Sequence, residues 1–218
     1  MQKITAIKAQ RKNPQRVNIF LDGEFAFGLT RIVAGWLQVG QMLSEEKIAA
    51  LQAEDDLEMA YLRALNFLSY RPRSLAEIRR NLHKHKAPET IIEATLERLQ
   101  QKNFANDKEF ARIWIENRNT FRPRGRRALS YELRQKGLDD EIIQPILDEL
   151  VDDEALAYQA GIKRARKLAH LEWQDFRRKL GAFLARRGFS YAVIAPLIPQ
   201  LWDEAQDKEN EDRSLQRG

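Results

Sequence analysis

The C-terminal two-thirds of the chain repeats one apolar pattern with a period of 51 residues. The pattern's first position holds Leu82, Leu133 and Leu184. The same spacing recurs at Ile92, Ile143 and Ile194, at Leu96, Leu147 and Ile198, and at Leu99, Leu150 and Leu201. Side chains that recur at a fixed spacing indicate one structural unit copied in tandem. The pattern therefore predicts three stacked copies, which act through an extended surface rather than a deep pocket.

Capping signals divide each copy into three helices. Ser74 and Glu77 form a capping box before the second helix of copy one. Gly137 and Gly188, again 51 residues apart, stand where a helix end needs a left-handed residue, and Lys86 replaces them in copy one. First helices are predicted at 56–68, 107–119 and 153–169. Third helices are predicted to begin near Pro88, Asp139 and Ser190 and to contain Pro145 and Pro196 in copies two and three.

Residues 3–29 lie outside the repeat and alternate between apolar and polar with a period of two. Asp22-Gly23 separates two such runs and is a strong signal for a two-residue hairpin turn, while Asn13-Pro14 supplies an earlier turn. These features predict a three-stranded antiparallel sheet. Because so small a sheet is marginal alone, we expect residues 29–37 and a helix from Ser44 to cover one face.

The predicted fold class is mainly α: three tandem three-helix repeats in an elongated array, preceded by a small antiparallel β-sheet. An acidic segment follows the third copy, and its lack of apolar residues predicts disorder. The predicted divisions are an N-terminal β-rich region with a covering helix at 1–55, repeats at 56–102, 103–151 and 152–203, and the acidic tail at 204–218.

Composition argues against secretion, a membrane location and catalysis. The chain has no cysteine, no apolar run long enough for a bilayer and no secretory leader pattern, so we expect a cytoplasmic protein. It has no glycine-rich phosphate loop, and its acidic clusters stand at predicted helix N-termini, where the helix dipole accounts for them. His83 and His85 have no cysteine or carboxylate set around them. We therefore expect no cofactor, no metal and no enzyme activity.

Positive charge is segregated along the chain, which carries a net charge of +5. The tripeptide Arg-Pro-Arg occurs at 71–73 and again at 122–124, each time just before a second helix. Proline stiffens such a connector, so both guanidiniums are expected to point outward. Further basic residues follow at Arg118, Arg126, Arg127, Lys163, Arg166, Lys167, Arg177, Arg178, Arg186 and Arg187. Repetition and segregation together predict a surface that binds a polyanion or an acidic partner.

Two segments resemble the bacterial regulatory protein RecX family. The run ALNFLSYRPRSLAEIR at 64–79 is similar to the family's opening, with leucine, serine, arginine and serine at Leu68, Ser69, Arg71 and Ser74. The run FANDKEFA at 104–111, followed by Arg118, Gly125 and LRQKGL at 133–138, resembles the family as well. The resemblance spans 58–202. Copy three departs from the pattern, since residues 173–175 replace the Arg-Pro-Arg.

The resemblance implies a fold of tandem three-helix units and a regulatory role without enzyme activity. It implies binding to the RecA recombinase filament on single-stranded DNA, in or along its groove, and restraint of ATP hydrolysis, strand exchange and filament extension. We expect a monomer that contacts the filament and its single-stranded DNA, and free DNA only weakly. The expected contact residues are Arg71, Arg73, Arg118, Arg122, Arg124, Arg126, Arg127, Lys163, Arg166, Lys167, Arg177 and Arg178.

Two other hypotheses stay open on the residues alone. In the first, the same basic residues neutralise phosphates in a stand-alone nucleic-acid-binding module, which predicts tight DNA binding with a steep salt dependence. In the second, the repeats form a structural scaffold, and reversing charge at Arg122 and Arg124 changes nothing measurable. An enzyme is the least favoured alternative, and a bound metal in the purified protein would reopen it.

Overall fold

The chain folds into two compact units in a computed structural model that describes the backbone of residues 1–215 and the side chains of residues 1–208. Unit 1 ends at Ala105 and unit 2 begins at Asn106. Among the described residues, no helix combines the length and apolarity needed to cross a membrane.

Unit 1 begins with an antiparallel sheet in the order β3-β2-β1-β4. Its strands are β1 (Gln2–Ala9), β2 (Arg16–Leu21), β3 (Glu24–Thr30) and β4 (Met42–Leu43), and a short helix α1 (Arg31–Ala34) follows β3. The small sheet and the hairpin turn are confirmed, because Asp22 and Gly23 both adopt positive φ. The sequence missed β4, since two residues are too few to display an alternating pattern.

A single helix, α2 (Glu45–Leu68), replaces the two helices predicted between Ser44 and Leu68. It runs unbroken across residues 55 and 56, where the sequence suggested a division. The helix contains no glycine or proline to end it at that point. Asp55, in its middle, is buried and faces the sheet. Its carboxylate accepts hydrogen bonds from the Thr30 backbone N–H at 2.5 Å and from Arg16 Nη2 at 2.8 Å. The same helix therefore covers the sheet and begins the first repeat.

The three-helix repeats are confirmed. Helices α3 (Leu75–Lys84) and α4 (Glu89–Gln101) complete the first repeat after α2. Unit 2 holds α5 (Asp107–Phe121), α6 (Arg126–Gln135) and α7 (Asp140–Leu150), then α8 (Asp153–Leu168), α9 (Trp173–Arg186) and α10 (Tyr191–Leu215). The Ser74–Glu77 capping box is present, and Pro145 and Pro196 lie inside the third helices as predicted.

The 51-residue pattern forms the core of the repeats. All of its positions are buried except Leu150, which is half-buried. Gly137 and Gly188 end their helices with φ of 86° and 89°. Lys86 takes the same left-handed conformation at φ 61°, although a side chain makes that conformation unfavourable. The turn geometry is thus common to all three copies even where glycine is missing.

The prediction of a disordered tail is wrong for residues 204–215, because α10 remains helical up to Leu215. Residues 216–218 lie outside the described part of the chain. Contacts with α8 hold the start of this segment: Tyr158 Oη donates to Glu204 Oε2 at 2.8 Å, and Ala205 is buried. Gln206 Nε2 donates to the Ala169 carbonyl at 2.7 Å. These contacts are hard to foresee from the sequence, because Ala205 is the one apolar residue among residues 203–212.

Candidate functional site

The Arg-Pro-Arg connector of copy two packs against the turn between α9 and α10. The Gly125 N–H donates to the Arg187 carbonyl at 2.9 Å, and Arg187 Nη1 donates to the Pro123 carbonyl at 3.0 Å. Pro123 is buried, whereas Arg122 on one side of it is exposed. The connector is therefore a contact between the second and third repeats as well as a source of positive charge.

A cleft of about 450 Å³ lies beside this contact, between the end of α5, helix α8 and the end of α9. We term it the basic cleft. Its lining residues are Thr120, Phe121, Pro123, Gln159, Ala160, Ile162, Lys163, Arg164, Lys167, Phe183 and Arg187. Four of these carry positive charge and none is acidic. The cleft is therefore a concentration of one sign of charge rather than a mixed surface.

The positive charge of the basic cleft is largely uncompensated. Lys163 and Lys167 lie one helical turn apart on α8, are exposed, and pair with no described side chain. Arg187 approaches from the end of α9 and stacks over the Phe183 ring at 4.7 Å. Burial, followed by the charges of Arg124 and Arg122, lowers the pKa of Arg187. An anion in the cleft would relieve this repulsion between like charges.

Glu132 takes up the charge of two arginines that the sequence assigned to the site. Arg118 Nε donates to Glu132 Oε2 at 2.8 Å, and Arg124 Nη1 lies 2.6 Å from Glu132 Oε1. Trp114 Nε1 donates to the same carboxylate at 2.8 Å, and the Arg118 guanidinium stacks over the Trp114 ring. The prediction that Arg124 points freely outward is therefore wrong, because a half-buried glutamate holds it.

Arg126 also has a structural role. Its backbone N–H donates to Asp153 Oδ1 at 2.9 Å, which caps α6 where Gly125 has no side chain to do so. Its guanidinium pairs with Asp148 and donates to the Leu147 carbonyl at 3.2 Å. Arg126 therefore ties the start of α6 to the end of α7, and little of its charge is left for a partner.

Of the two arginines in the copy-one connector, Arg71 is exposed and Arg73 is half-buried. Arg71 Nη2 lies 3.4 Å from Glu77 Oε1. Arg73 instead stacks on the Phe67 ring at 4.0 Å, and burial together with the charge of Arg71 lowers its pKa. The outward orientation predicted for both arginines is wrong for Arg73, because an aromatic face next to the connector receives its guanidinium.

A second concavity of unit 2 combines arginines with aromatic rings, and we term it the arginine–aromatic groove. It has a volume of about 780 Å³. Its lining residues are Arg127, Trp173, Gln174, Arg177, Arg178, Gly181, Ala182, Ala185, Phe189, Tyr191, Ile194 and Ile198. Three predicted site residues, Arg127, Arg177 and Arg178, therefore line this groove. The groove shares no lining residue with the basic cleft. Arg166 is exposed on α8 and lines neither concavity.

Sequence reasoning left Arg187 and Phe121 out of the candidate set and did not anticipate Glu132. Arg187 had one signal: it precedes Gly188, whose left-handed turn fixes the direction of the chain at the end of α9. Phe121 is 78% exposed beside the basic cleft, and no periodic pattern distinguishes it from a core residue. The role of Glu132 depends on the packing of α5 against α6, which a linear pattern does not reveal.

The fold and these surfaces define a class of protein in which tandem three-helix repeats follow an N-terminal sheet along the chain. Four family profiles match the chain in order. The Regulatory protein RecX N-terminal domain matches residues 2–44, and the first, second and third three-helix domains of RecX match 60–99, 106–145 and 152–198. The chain belongs to the RecX family.

Relatives and solved structures agree with this assignment. The chain is 34% identical to the Regulatory protein RecX of Bacillus velezensis, over 94% of this chain and 80% of that protein. It is 32% identical to that of Bacillus pumilus, over 99% of this chain and 83% of the relative. A crystal structure of regulatory protein RecX covers 92% of this chain and all of its own, with a TM-score of 0.74 and 28% identity. The RecX structure from Lactobacillus salivarius has a TM-score of 0.62 and 28% identity, and covers 69% of this chain and 98% of its own.

Proposed function

We propose that this protein regulates homologous recombination and DNA repair in the bacterial cytoplasm by binding the RecA filament on single-stranded DNA. It inhibits the filament's ATP hydrolysis, strand exchange and extension, and it acts as a monomer without a cofactor. The observation that carries the proposal is the basic cleft, where Lys163, Lys167 and Arg187 converge with no acidic residue in the lining. The chain's membership of a family of regulatory proteins supports regulation rather than catalysis.

The charge arrangement suits a polyanion that holds its charges at regular intervals. Lys163 and Lys167 project from one face of α8, and each ammonium can meet one phosphate as a compact point charge. Arg187 is held by the Pro123 carbonyl, so less side-chain entropy is lost when it binds. Each phosphate that is neutralised releases counterions, which favours binding at low salt. A DNA-loaded filament offers such charges together with protein contacts.

Tandem repeats add avidity to this contact. Copies one and two carry exposed cations at Arg71 and Arg122, outside the basic cleft. Several weak contacts made by one chain act at a high effective concentration, so overall affinity exceeds that of any single contact. This supports a regulator that engages neighbouring protomers of a filament rather than one deep pocket.

The test is ATP hydrolysis by purified RecA on single-stranded DNA, measured with increasing amounts of the protein. We expect hydrolysis to fall when the protein is present at up to stoichiometric amounts relative to RecA. Hydrolysis that stays constant at these amounts would exclude the proposed function. RecA without DNA serves as the control for effects on the background rate.

The second candidate function is a stand-alone nucleic-acid-binding module. Phe121 favours it, because this ring is 78% exposed beside the basic cleft and offers a face on which a base can stack. Binding to oligothymidylate in the absence of RecA, measured across salt concentrations, separates the two. Tight binding with a slope that reflects several phosphates favours the module. Weak binding that strengthens when RecA coats the DNA favours the regulator.

A further inference from the structure

The arginine–aromatic groove differs in chemistry from the basic cleft. Its floor is aliphatic and aromatic, with Phe189, Ile194 and Ile198 beneath the space left by Gly181. Its volume of about 780 Å³ is sufficient for a large side chain and the backbone on either side of it. An apolar concavity left open to water gains free energy when an apolar group displaces that water. The floor therefore selects for an apolar group.

The aromatic walls of the groove are already held in place. Trp173 stacks on Phe176 with ring centroids 6.5 Å apart and meets Trp202 edge-to-face at 5.6 Å. Tyr191 at the start of α10 is 74% exposed. A rigid tryptophan and an exposed tyrosine are the residue types that dominate protein–protein binding energy, since they bury large areas at a low entropy cost.

The rim of the groove carries positive charge without a matching carboxylate in the lining. Arg127 and Arg177 are exposed and pair with no described side chain. Arg178 Nη2 lies 2.7 Å from Asp175 Oδ1, so its charge is partly offset. An apolar group flanked by carboxylates could pack on the apolar floor while its carboxylates pair with the arginines of the rim.

The floor argues against a nucleobase as the inserted group. A base carries hydrogen-bond donors and acceptors around its edge, and burying them without partners is costly. Phe189, Ile194 and Ile198 of the floor have no polar side-chain atom, and the polar side chains of the lining belong to exposed residues. A leucine or phenylalanine side chain has no such requirement, so a protein segment fits the groove better than a nucleotide.

We propose that the arginine–aromatic groove docks a short acidic segment of a protein partner, which inserts a large apolar side chain between Trp173 and Tyr191. This goes beyond the proposed function, because it assigns a protein contact to residues separate from the polyanion contact. It depends neither on DNA nor on the identity of the filament.

The probe is a fluorescein-labelled synthetic peptide with a central Phe-Leu pair between blocks of glutamate, and binding to the purified protein is followed by fluorescence polarisation. Two matched peptides carry lysine in place of glutamate or Ala-Ala in place of Phe-Leu. We expect the glutamate Phe-Leu peptide to bind about tenfold more tightly than either counterpart. Absence of binding by the glutamate Phe-Leu peptide would overturn the proposal.

Variants assign the binding to the groove. Ala182 is exposed on α9 and lines the groove, so Ala182→Leu fills the space while leaving the core unchanged. We expect it to weaken binding about tenfold, whereas the control Ala155→Leu on exposed α8 surface leaves binding unchanged. Reversing charge at Arg127 and Arg177 should reverse the preference between the glutamate and lysine peptides. Circular dichroism checks that each variant folds.

Three results would contradict the proposal. Equal peptide affinity in Ala182→Leu would place the binding elsewhere. Binding of oligothymidylate that Ala182→Leu weakens would make the groove a nucleic-acid site. A monomer–dimer equilibrium in sedimentation that Ala182→Leu abolishes would make it an interface between two copies of this chain. Because none of these measurements uses RecA, their failure is distinguishable from failure of the proposed function.

Discussion

Gly125 and Gly188 meet backbone to backbone, so that a Cβ atom at Gly125 would lie 2.5 Å from the Gly188 carbonyl oxygen. A Cβ at Gly188 would in turn lie 2.4 Å from Cβ of Ala128, in the first turn of α6. This contact joins the start of α6 to the turn after α9. It positions Arg187 against the connector and therefore forms one wall of the basic cleft.

Gly188→Ala is expected to destabilise the protein by about 2–5 kcal/mol, which combines left-handed strain with overpacking against Ala128. Gly40→Ala is the matched control, because Gly40 has a similar φ of 94° and nothing within 4 Å of the added Cβ. The control should cost about 1–2 kcal/mol from strain alone. Chemical denaturation, monitored by circular dichroism, measures the free energy of unfolding of both variants. Equal losses would show that Ala128 does not crowd an added Cβ at Gly188.

Lys86→Gly is expected to stabilise the first repeat by up to about 1 kcal/mol, since glycine adopts the left-handed conformation without the side-chain penalty but loses more backbone entropy on folding. Lys86 has φ 61° and makes the turn that glycine makes in copies two and three. Arg80→Gly, at an exposed position inside α3, should instead cost about 1 kcal/mol. The denaturation midpoint reports both changes, and a loss of stability in Lys86→Gly would contradict the shared turn.

Acid should remove a stabilising contribution from the Arg112–Glu149 ion pair. The hydrogen bond from Arg112 lowers the pKa of Glu149 below its ordinary 4.5. The folded chain therefore holds this carboxylate ionised more readily than the unfolded chain does. The stabilisation is present above the unfolded pKa and is lost as the pH falls through the folded pKa. Wild type should thus lose more stability than Glu149→Gln between neutral and acidic pH.

Glu141→Gln is the control for this pH dependence, because Glu141 is an exposed glutamate of the same helix and the change in charge is equal. Its thermal midpoint should follow that of wild type as the pH falls. If Glu149→Gln and Glu141→Gln respond alike, the ion pair with Arg112 contributes nothing specific.

Much of the fold is predictable from the sequence because apolar periodicity and capping chemistry are local. The capping box at Ser74 and the left-handed turns at Gly137 and Gly188 were predicted correctly for this reason. Asp55 shows the limit, since a charged residue in a helix gives no local sign that it will be buried against Thr30. The docking of α2 on the sheet through this residue is therefore not visible in a local pattern.

The candidate site was less predictable, because sequence reveals where charge is present but not which charge is already paired. Arg124 and Lys163 look alike in the sequence, yet Glu132 holds the first and no described side chain pairs with the second. Pairing depends on which helices meet, and so does the inclusion of Arg187 in the cleft. Charge segregation therefore identified the surface but not its individual residues.

The most direct test compares two double variants that remove the same charge from unit 2. Lys163→Gln with Lys167→Gln neutralises unpaired cations of the basic cleft, whereas Arg112→Gln with Arg134→Gln removes two arginines outside the cleft that pair with Glu149 and Asp140. The measurement is the protein concentration that halves ATP hydrolysis by RecA on single-stranded DNA. We predict that the lysine variant needs about tenfold more protein and that the arginine variant matches wild type. Equal inhibition by the two variants would contradict the claim that the basic cleft carries the regulatory contact.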